Sequence, residues 1–297
     1  MNLKNSSFIL LFFTLVSCHQ QEITDSYLID LEEFEVLSKL KTTKIIDFRK
    51  HKEYQKGHIK NAINIWRTAI VDSSFPYDGM KASRAQLEEL FSRLGIQSDD
   101  TLVVYDDNGL CEAARFWWVL QFYNFKNVKL LNGGLTTLQN AGKSFTKEET
   151  RYATSMFNFK KGTNPSFIAT KEQIKKAITN ASVILDTRTT TEFTGKQLKK
   201  GAFQAGKISG SILIDWANAI NYNGDKKIKS TTALTKIYGK LLQNKNDTLY
   251  VYCHSGVRSA HTTFILTQLL NYKHVLNYDG SWTEWSYYND LSLKNND

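Results

Sequence analysis

Proline is nearly missing from this chain. Its 297 residues contain two, Pro76 and Pro165, so most turns must be built on Gly, Asn and Asp. Cysteine is almost as scarce: Cys18, Cys111 and Cys253 are too few for a disulfide framework. No apolar run approaches the roughly 18 residues that span a bilayer as a helix, so the body of the chain is expected to be soluble. Lys and Arg outnumber Asp and Glu by 38 to 29, yet the basic residues are spread among Lys/Glu-rich segments with no basic cluster or recognition motif. Nucleic acid is therefore not an expected partner, and the surplus reads as a solvated surface with a mild preference for anionic substrates. No metal and no other cofactor is expected.

What is present is enough for real cores. At 41% hydrophobic and 12% aromatic residues, the length corresponds to two domains of about 100–200 residues each. The opening MNLKNSSFILLFFTLVSC has one early cation, Lys4, an apolar run from Phe8 to Val16, and Leu15-Val16-Ser17-Cys18. That run is too short to span a bilayer and is shaped like a secretory signal. Its Leu-x-Ser-Cys ending looks like the bacterial lipobox. The expectation is a signal peptide at 1–17, a lipidated Cys18, a tether at 18–27, and an exported protein held on the cell envelope, on the periplasmic or outer-membrane side, by that anchor alone.

The rest of the chain is one unit written twice. At an offset of 147 residues, Asp100 to Gly134 matches Asp247 to Ser281 through pairs such as Val104/Val251, Tyr105/Tyr252, Gly109/Gly256 and Gly133/Gly280. At an offset of 139, Ile45-Ile46-Asp47-Phe48-Arg49 matches Ile184-Leu185-Asp186-Thr187-Arg188. The second copy then carries an insertion, 196–205, expected as a surface loop. Apolar spacing predicts helices over Ala85–Leu94 and Thr232–Leu242. Strands alternating with helices at these lengths call for an α/β fold of two domains, each a mostly parallel sheet with helices on both faces. The domains are 28–142 and 167–297, with a polar connector at 143–166. In such sheets the site lies at the carboxyl ends of the strands.

Two loops occupy that position. The second copy reads as a buried strand (Thr248–Tyr252), the loop Cys253-His254-Ser255-Gly256-Val257-Arg258, a helix over Ser259–Leu270 and a strand over Val275–Tyr278. Loop N–H groups and the helix N-terminus favour an ionised sulfur, and Arg258 adds a charge that cannot be lost. In the first copy Asp106 stands where Cys253 stands, so only the second copy can run thiol chemistry. Cys111 aligns with Arg258 and reads either as a small packed residue or as a resolving thiol. Only four residues separate Cys253 from Arg258. A loop this short suits one added sulfur atom better than a whole phosphate group.

With the repeat, Gly57-His58-Ile59, Ala114-Arg115-Phe116-Trp117-Trp118, the Cys253–Ser259 loop and Tyr278-Asp279-Gly280-Ser281-Trp282 in view, the chain resembles the tandem-domain rhodanese-family sulfurtransferases that use thiosulfate or 3-mercaptopyruvate. The resemblance implies an inactive first domain and a catalytic second one, with the site in the crevice between them. Cys253 would become a persulfide and pass its sulfur to cyanide, a thiol or a sulfur-accepting protein. His254, Ser255, Gly256, Val257, Arg258 and Ser259 would line the substrate, and Arg188 would hold the donor's anionic group. His58, backed by Asp47, would be a candidate acid/base. Ser255 stands where similar thiosulfate enzymes carry lysine and mercaptopyruvate enzymes carry serine, which leans the donor toward 3-mercaptopyruvate. Lys207, in place of a histidine, and His254 depart from the family pattern. A thiol reductant is a further candidate partner. Two other readings stay open at this point: an envelope protein that holds a persulfide without turnover, and a cysteine phosphatase or arsenate reductase.

Overall fold

The computed structural model describes residues 26–294, with side chains to 289. The expected signal 1–17, the lipidation residue Cys18 and most of the tether lie outside the described residues. The first half contains strands β1 (Leu28–Ile29), β2 (Thr43–Asp47), β3 (His58–Ile59), β4 (Ile63–Asn64), β5 (Thr101–Tyr105), β6 (Val128–Leu131) and β7 (Phe145–Thr146). Its helices are α1 (Leu31–Leu37), α2 (His51–Tyr54), α3 (Arg84–Arg93), α4 (Cys111–Phe122) and α5 (Gly134–Asn140). The second half contains β8 (Ile168–Ala169), β9 (Ile184–Asp186), β10 (Ile212–Leu213), β11 (Thr248–Tyr252) and β12 (His274–Tyr278). Its helices are α6 (Lys171–Thr179), α7 (Thr190–Phe193), α8 (Thr231–Tyr238), α9 (Val257–Phe264) and α10 (Ser281–Lys294).

The two sheets have the same order, β1-β6-β5-β2-β4 and β8-β12-β11-β9-β10, and every pairing within them is parallel. The register repeats too. Leu102 pairs with Val128 and Leu249 with Val275, while Asp47 pairs with Tyr105 and Asp186 with Tyr252. The written repeat is therefore a physical one, an α/β fold used twice. Parallel strands need both faces covered, which explains the near-continuous apolar runs of β5 and β11.

Local chemistry sets the element ends. Ser83 and Gln86 form a capping box that starts α3 at Arg84, and Thr170 with Gln173 does the same for α6. Gly256, at φ 76°, turns the chain into α9 at Val257, two residues earlier than the apolar pattern indicates. The α-helical ladder gives way to a π-helical turn over Ile265–Leu269.

The halves share a core. The faces of α4 and α9 meet, and Trp117 stands edge-on to Phe264 with ring centroids 4.9 Å apart. Trp117, Trp118, Phe116 and Phe264 are fully buried. The connector is not a free link. β7 pairs antiparallel with β3, and Phe157 and Phe159 are buried against Phe91 and Tyr123. A polar composition concealed this, because two aromatic anchors spaced by one residue suffice to strap a segment to a core.

Candidate active site

Cys253 follows the last residue of β11 and is buried at the carboxyl edge of the second sheet. The turn after β12 holds its loop from below. Ser281 Oγ accepts from the N–H of Cys253 (3.2 Å) and of Gly256 (3.0 Å) while donating to the Tyr278 carbonyl (2.7 Å). The N–H groups of Trp282 and Thr283 donate to the carbonyls of Cys253 and His254.

Burial alone pushes the Cys253 thiol up. The charge of Arg258, the hydroxyl and N–H of Ser259 and the N–H of Ser255 outweigh it, so the thiol lies below its ordinary value. Ser259 Oγ donates to Sγ at 3.4 Å. Arg258 is fixed by two bonds to Glu192, at 2.6 and 2.8 Å. His254 Nε2 donates to the Lys200 carbonyl at 3.0 Å, and burial with the charges of Lys199 and Arg258 drives this imidazole down to about 4, leaving it neutral.

The first copy shows what the cradle is for. Asp106, the counterpart of Cys253, accepts the N–H groups of Asn108, Leu110, Glu112 and Ala113 at 2.9–3.1 Å. Asn108 and Glu112 are the counterparts of Ser255 and Ser259, whose N–H groups point at the Cys253 sulfur. One loop fold thus surrounds a carboxylate in one copy and a thiolate in the other. The same ring of donors can serve an anionic sulfur chain.

Cys253 opens on a cavity of about 210 Å³ between the domains. The second domain contributes His254, Ser255, Val257 and Arg258; the first contributes Arg67, Asn108, Cys111 and Glu112. A wider space of about 490 Å³ shares Arg67, Lys199, His254, Ser255 and Val257. Arg67 and Lys199 were missed by sequence reasoning. Lys199 lies in the 196–205 insertion, so that segment walls the site rather than decorating the surface. Its charge and its place in the only insertion between aligned landmarks were the available signals. Arg67 follows a tryptophan in an unremarkable stretch and carried none.

Three expected site residues lie elsewhere. Arg188 is buried with its guanidinium on Asp186 (2.6–3.0 Å) and the Gly206 carbonyl (2.8 Å), and it is absent from the lining of the Cys253 cavity. Arg49 makes the same bonds to Asp47 and Gly57 in the copy that carries Asp106 in place of Cys253, which identifies this pair as part of the fold. His58 is buried between the Tyr54 and Glu148 carbonyls, both at 3.0 Å, and stacks on Tyr54. Asp47 is held by Arg49 and the Tyr105 hydroxyl (2.6 Å). Neither is within the cavity lining. Cys111 is a free buried thiol in that lining, pushed well up by burial and by Glu112 and Asp106. Among the described residues no His/Cys/Asp/Glu group could hold a metal ion.

The model of the Rhodanese-like domain matches residues 30–141 and again 170–287. A protein of Saccharopolyspora erythraea named "Putative thiosulfate sulfurtransferase" is 35% identical over 78% of this chain and 83% of its own length. The "Sulfur carrier protein TtuD" of Thermus thermophilus is 34% identical with the same coverage. Among solved structures, SseA of Escherichia coli, described with the 3-mercaptopyruvate sulfotransferases, superposes with a TM-score of 0.73 at 24% identity, over 86% of this chain and 99% of its own. Tum1 of Saccharomyces cerevisiae gives 0.75 at 20% identity, over 88% and 95%. At these identities the two structures speak to the fold.

Proposed function

This chain belongs to the rhodanese-like family, with two copies of the domain, and is a sulfurtransferase; on that premise we propose that it works through a persulfide on Cys253, taking sulfur from 3-mercaptopyruvate or thiosulfate. The observation that carries the reading is the filled cradle around Asp106, a carboxyl group held by four loop amides, two of which, Asn108 and Glu112, have counterparts in the Ser255 and Ser259 amides that donate to the Cys253 sulfur. Loading makes one S–S bond. The Cys253 thiolate attacks the transferable sulfur, and the electron pair of the broken bond departs with sulfite or with the enolate of pyruvate. Arg67 and Lys199 attract the donor's anionic end. Arg258 and the loop amides then stabilise the outer sulfur as an anion. In discharge a nucleophile such as cyanide or a thiol attacks that sulfur, and the Cys253 thiolate leaves.

Ser255, where a lysine would favour a dianion, supports 3-mercaptopyruvate as donor. The Leu15-Val16-Ser17-Cys18 ending supports lipid anchoring at the bacterial envelope, where a small thiol or a sulfur-accepting protein would be the acceptor. The test is steady-state thiocyanate formation from cyanide with each donor. Continuous turnover, lost in Cys253→Ala, is expected; a single stoichiometric burst would instead identify a protein that holds sulfur without passing it on.

A further inference from the structure

We propose that Glu112, presented to the cavity by the first domain, is the acid that protonates the carbon leaving group when sulfur is taken from a 3-mercaptopyruvate-type donor. The inference rests on the Cys253 persulfide reading. The two donor classes differ in what they leave behind. Thiosulfate releases sulfite, a stable anion that needs no proton. A β-thiol α-keto acid releases an enolate, which must gain a proton at carbon, so a group in the cavity has to carry one.

Several other groups around the cavity are already committed. His254 is neutral, with its Nε2–H committed to the Lys200 carbonyl. The Ser259 hydroxyl is bound to Sγ, and Arg258 is clamped to Glu192. Arg67 and Lys199 are the cations left for the donor carboxylate. His58 and Asp47 are outside the lining.

Glu112 stands in the first turn of α4 and lines the Cys253 cavity. Its Oε1 is 3.3 Å from Arg67 Nη1; its Oε2 is buried and has no hydrogen-bond partner. A buried carboxyl oxygen without a donor is better satisfied protonated than ionised. Burial, with Asp106 and Asp107 on one side against Arg67 and Lys50 on the other, pushes the carboxyl up to about 7. Across the cavity it faces Lys199, Arg258 and Cys253, and beside it on the same helix is Cys111.

The step balances without outside oxidant or reductant. The Cys253 thiolate bonds to the donor sulfur, the C–S bond breaks, and its electron pair enters the enolate. Glu112 gives its proton to the methylene carbon, yielding pyruvate, and the neutral Cys253–S–SH can return a proton to the Glu112 carboxylate.

The experiment compares wild type and Glu112→Gln with both donors across pH, with mass spectrometry of Cys253 persulfide formed from thiosulfate as the check that the site is folded. With 3-mercaptopyruvate, kcat/KM is expected to fall by about 10²–10⁴-fold, the usual contribution of a general acid. The wild-type rate should decline as pH rises through about 7, and this limb should vanish in the variant. With thiosulfate above that pH, kcat/KM should rise, because a negative charge facing a dianion has been removed. An equal loss with both donors would mark Glu112 as structural, and a 3-mercaptopyruvate rate within a few-fold of wild type would exclude it as the acid; either overturns the proposal. Absence of persulfide in the wild type with both donors would instead overturn the underlying reading.

Discussion

Cys253 is made nucleophilic against its own burial. A buried thiol resists ionisation, and one guanidinium reverses that only if it is itself kept in place. Glu192 does this. Burial would raise its carboxyl, but the bonds to and charge of Arg258 bring it down to about 2. A carboxylate depressed from 4.5 to about 2 contributes about 3 kcal/mol of stability, complete above pH 4.5 and lost as pH falls through about 2. Glu192→Gln leaves Arg258 buried and uncompensated, a change that typically costs about 3–5 kcal/mol. Urea unfolding at pH 7 should show this loss, with the gap to wild type narrowing below pH 4.5. Iodoacetamide should also alkylate the variant more slowly at neutral pH, since the thiolate loses its fixed cation. At this scale the sequence disclosed Cys253 and Arg258, because a thiol and a guanidinium stand at the two ends of one short polar loop, and Ser259 came with the family resemblance of that loop. It misdirected the reading of Arg188. Asp-x-Arg recurs as Asp47–Arg49 in the copy that has Asp106 in place of Cys253, and a motif shared by a silent and an active copy is evidence of architecture.

The strand, loop and helix around Cys253 depend on one glycine. Gly256 sits at φ 76°, and a Cβ there would lie 2.7 Å from the Asp279 carbonyl and 2.8 Å from Arg115 Nη1. Arg115 is itself locked, bonded to the Gly256 carbonyl, the Gly79 carbonyl and Asp279 at 2.6 Å. Gly256→Ala therefore combines left-handed strain with displacement of the charged pair that bridges the domains. It should lower stability by about 1–3 kcal/mol, and persulfide loading should fall at least tenfold while the far-UV spectrum is retained. Wild-type loading in this variant would mean the loop geometry is not what activates the thiol. Strand positions were legible because parallel strands read as apolar runs: Thr248–Tyr252 appears as expected, and the strand expected over Val275–Tyr278 starts one residue earlier, at His274. The helix over Thr232–Leu242 ends at Tyr238 instead, before Gly239, where apolar residues continue but the helix does not.

The whole molecule is two copies of one unit that are no longer independent. The core runs from one domain into the other through Trp117 and Phe264, and the active cavity is walled by both. The repeat made the duplication legible, but a one-dimensional pattern cannot show which faces of two amphipathic helices meet, so Arg67 and Glu112 reached the site unannounced. The shared core predicts one cooperative thermal transition for the intact protein. The second half alone, 167–297, should be insoluble or molten, because it would expose the α9 face that Trp117 covers. A stable, active second half would show that the first domain is dispensable.

The central claim is that Cys253 carries sulfur. Mass spectrometry of the intact protein and its Cys253 peptide after incubation with 3-mercaptopyruvate or thiosulfate tests it most directly. The account predicts a gain of one sulfur atom on that peptide, removed by cyanide and absent in Cys253→Ser. An unmodified Cys253 with both donors, or a sulfur adduct found on Cys111 instead, would contradict it.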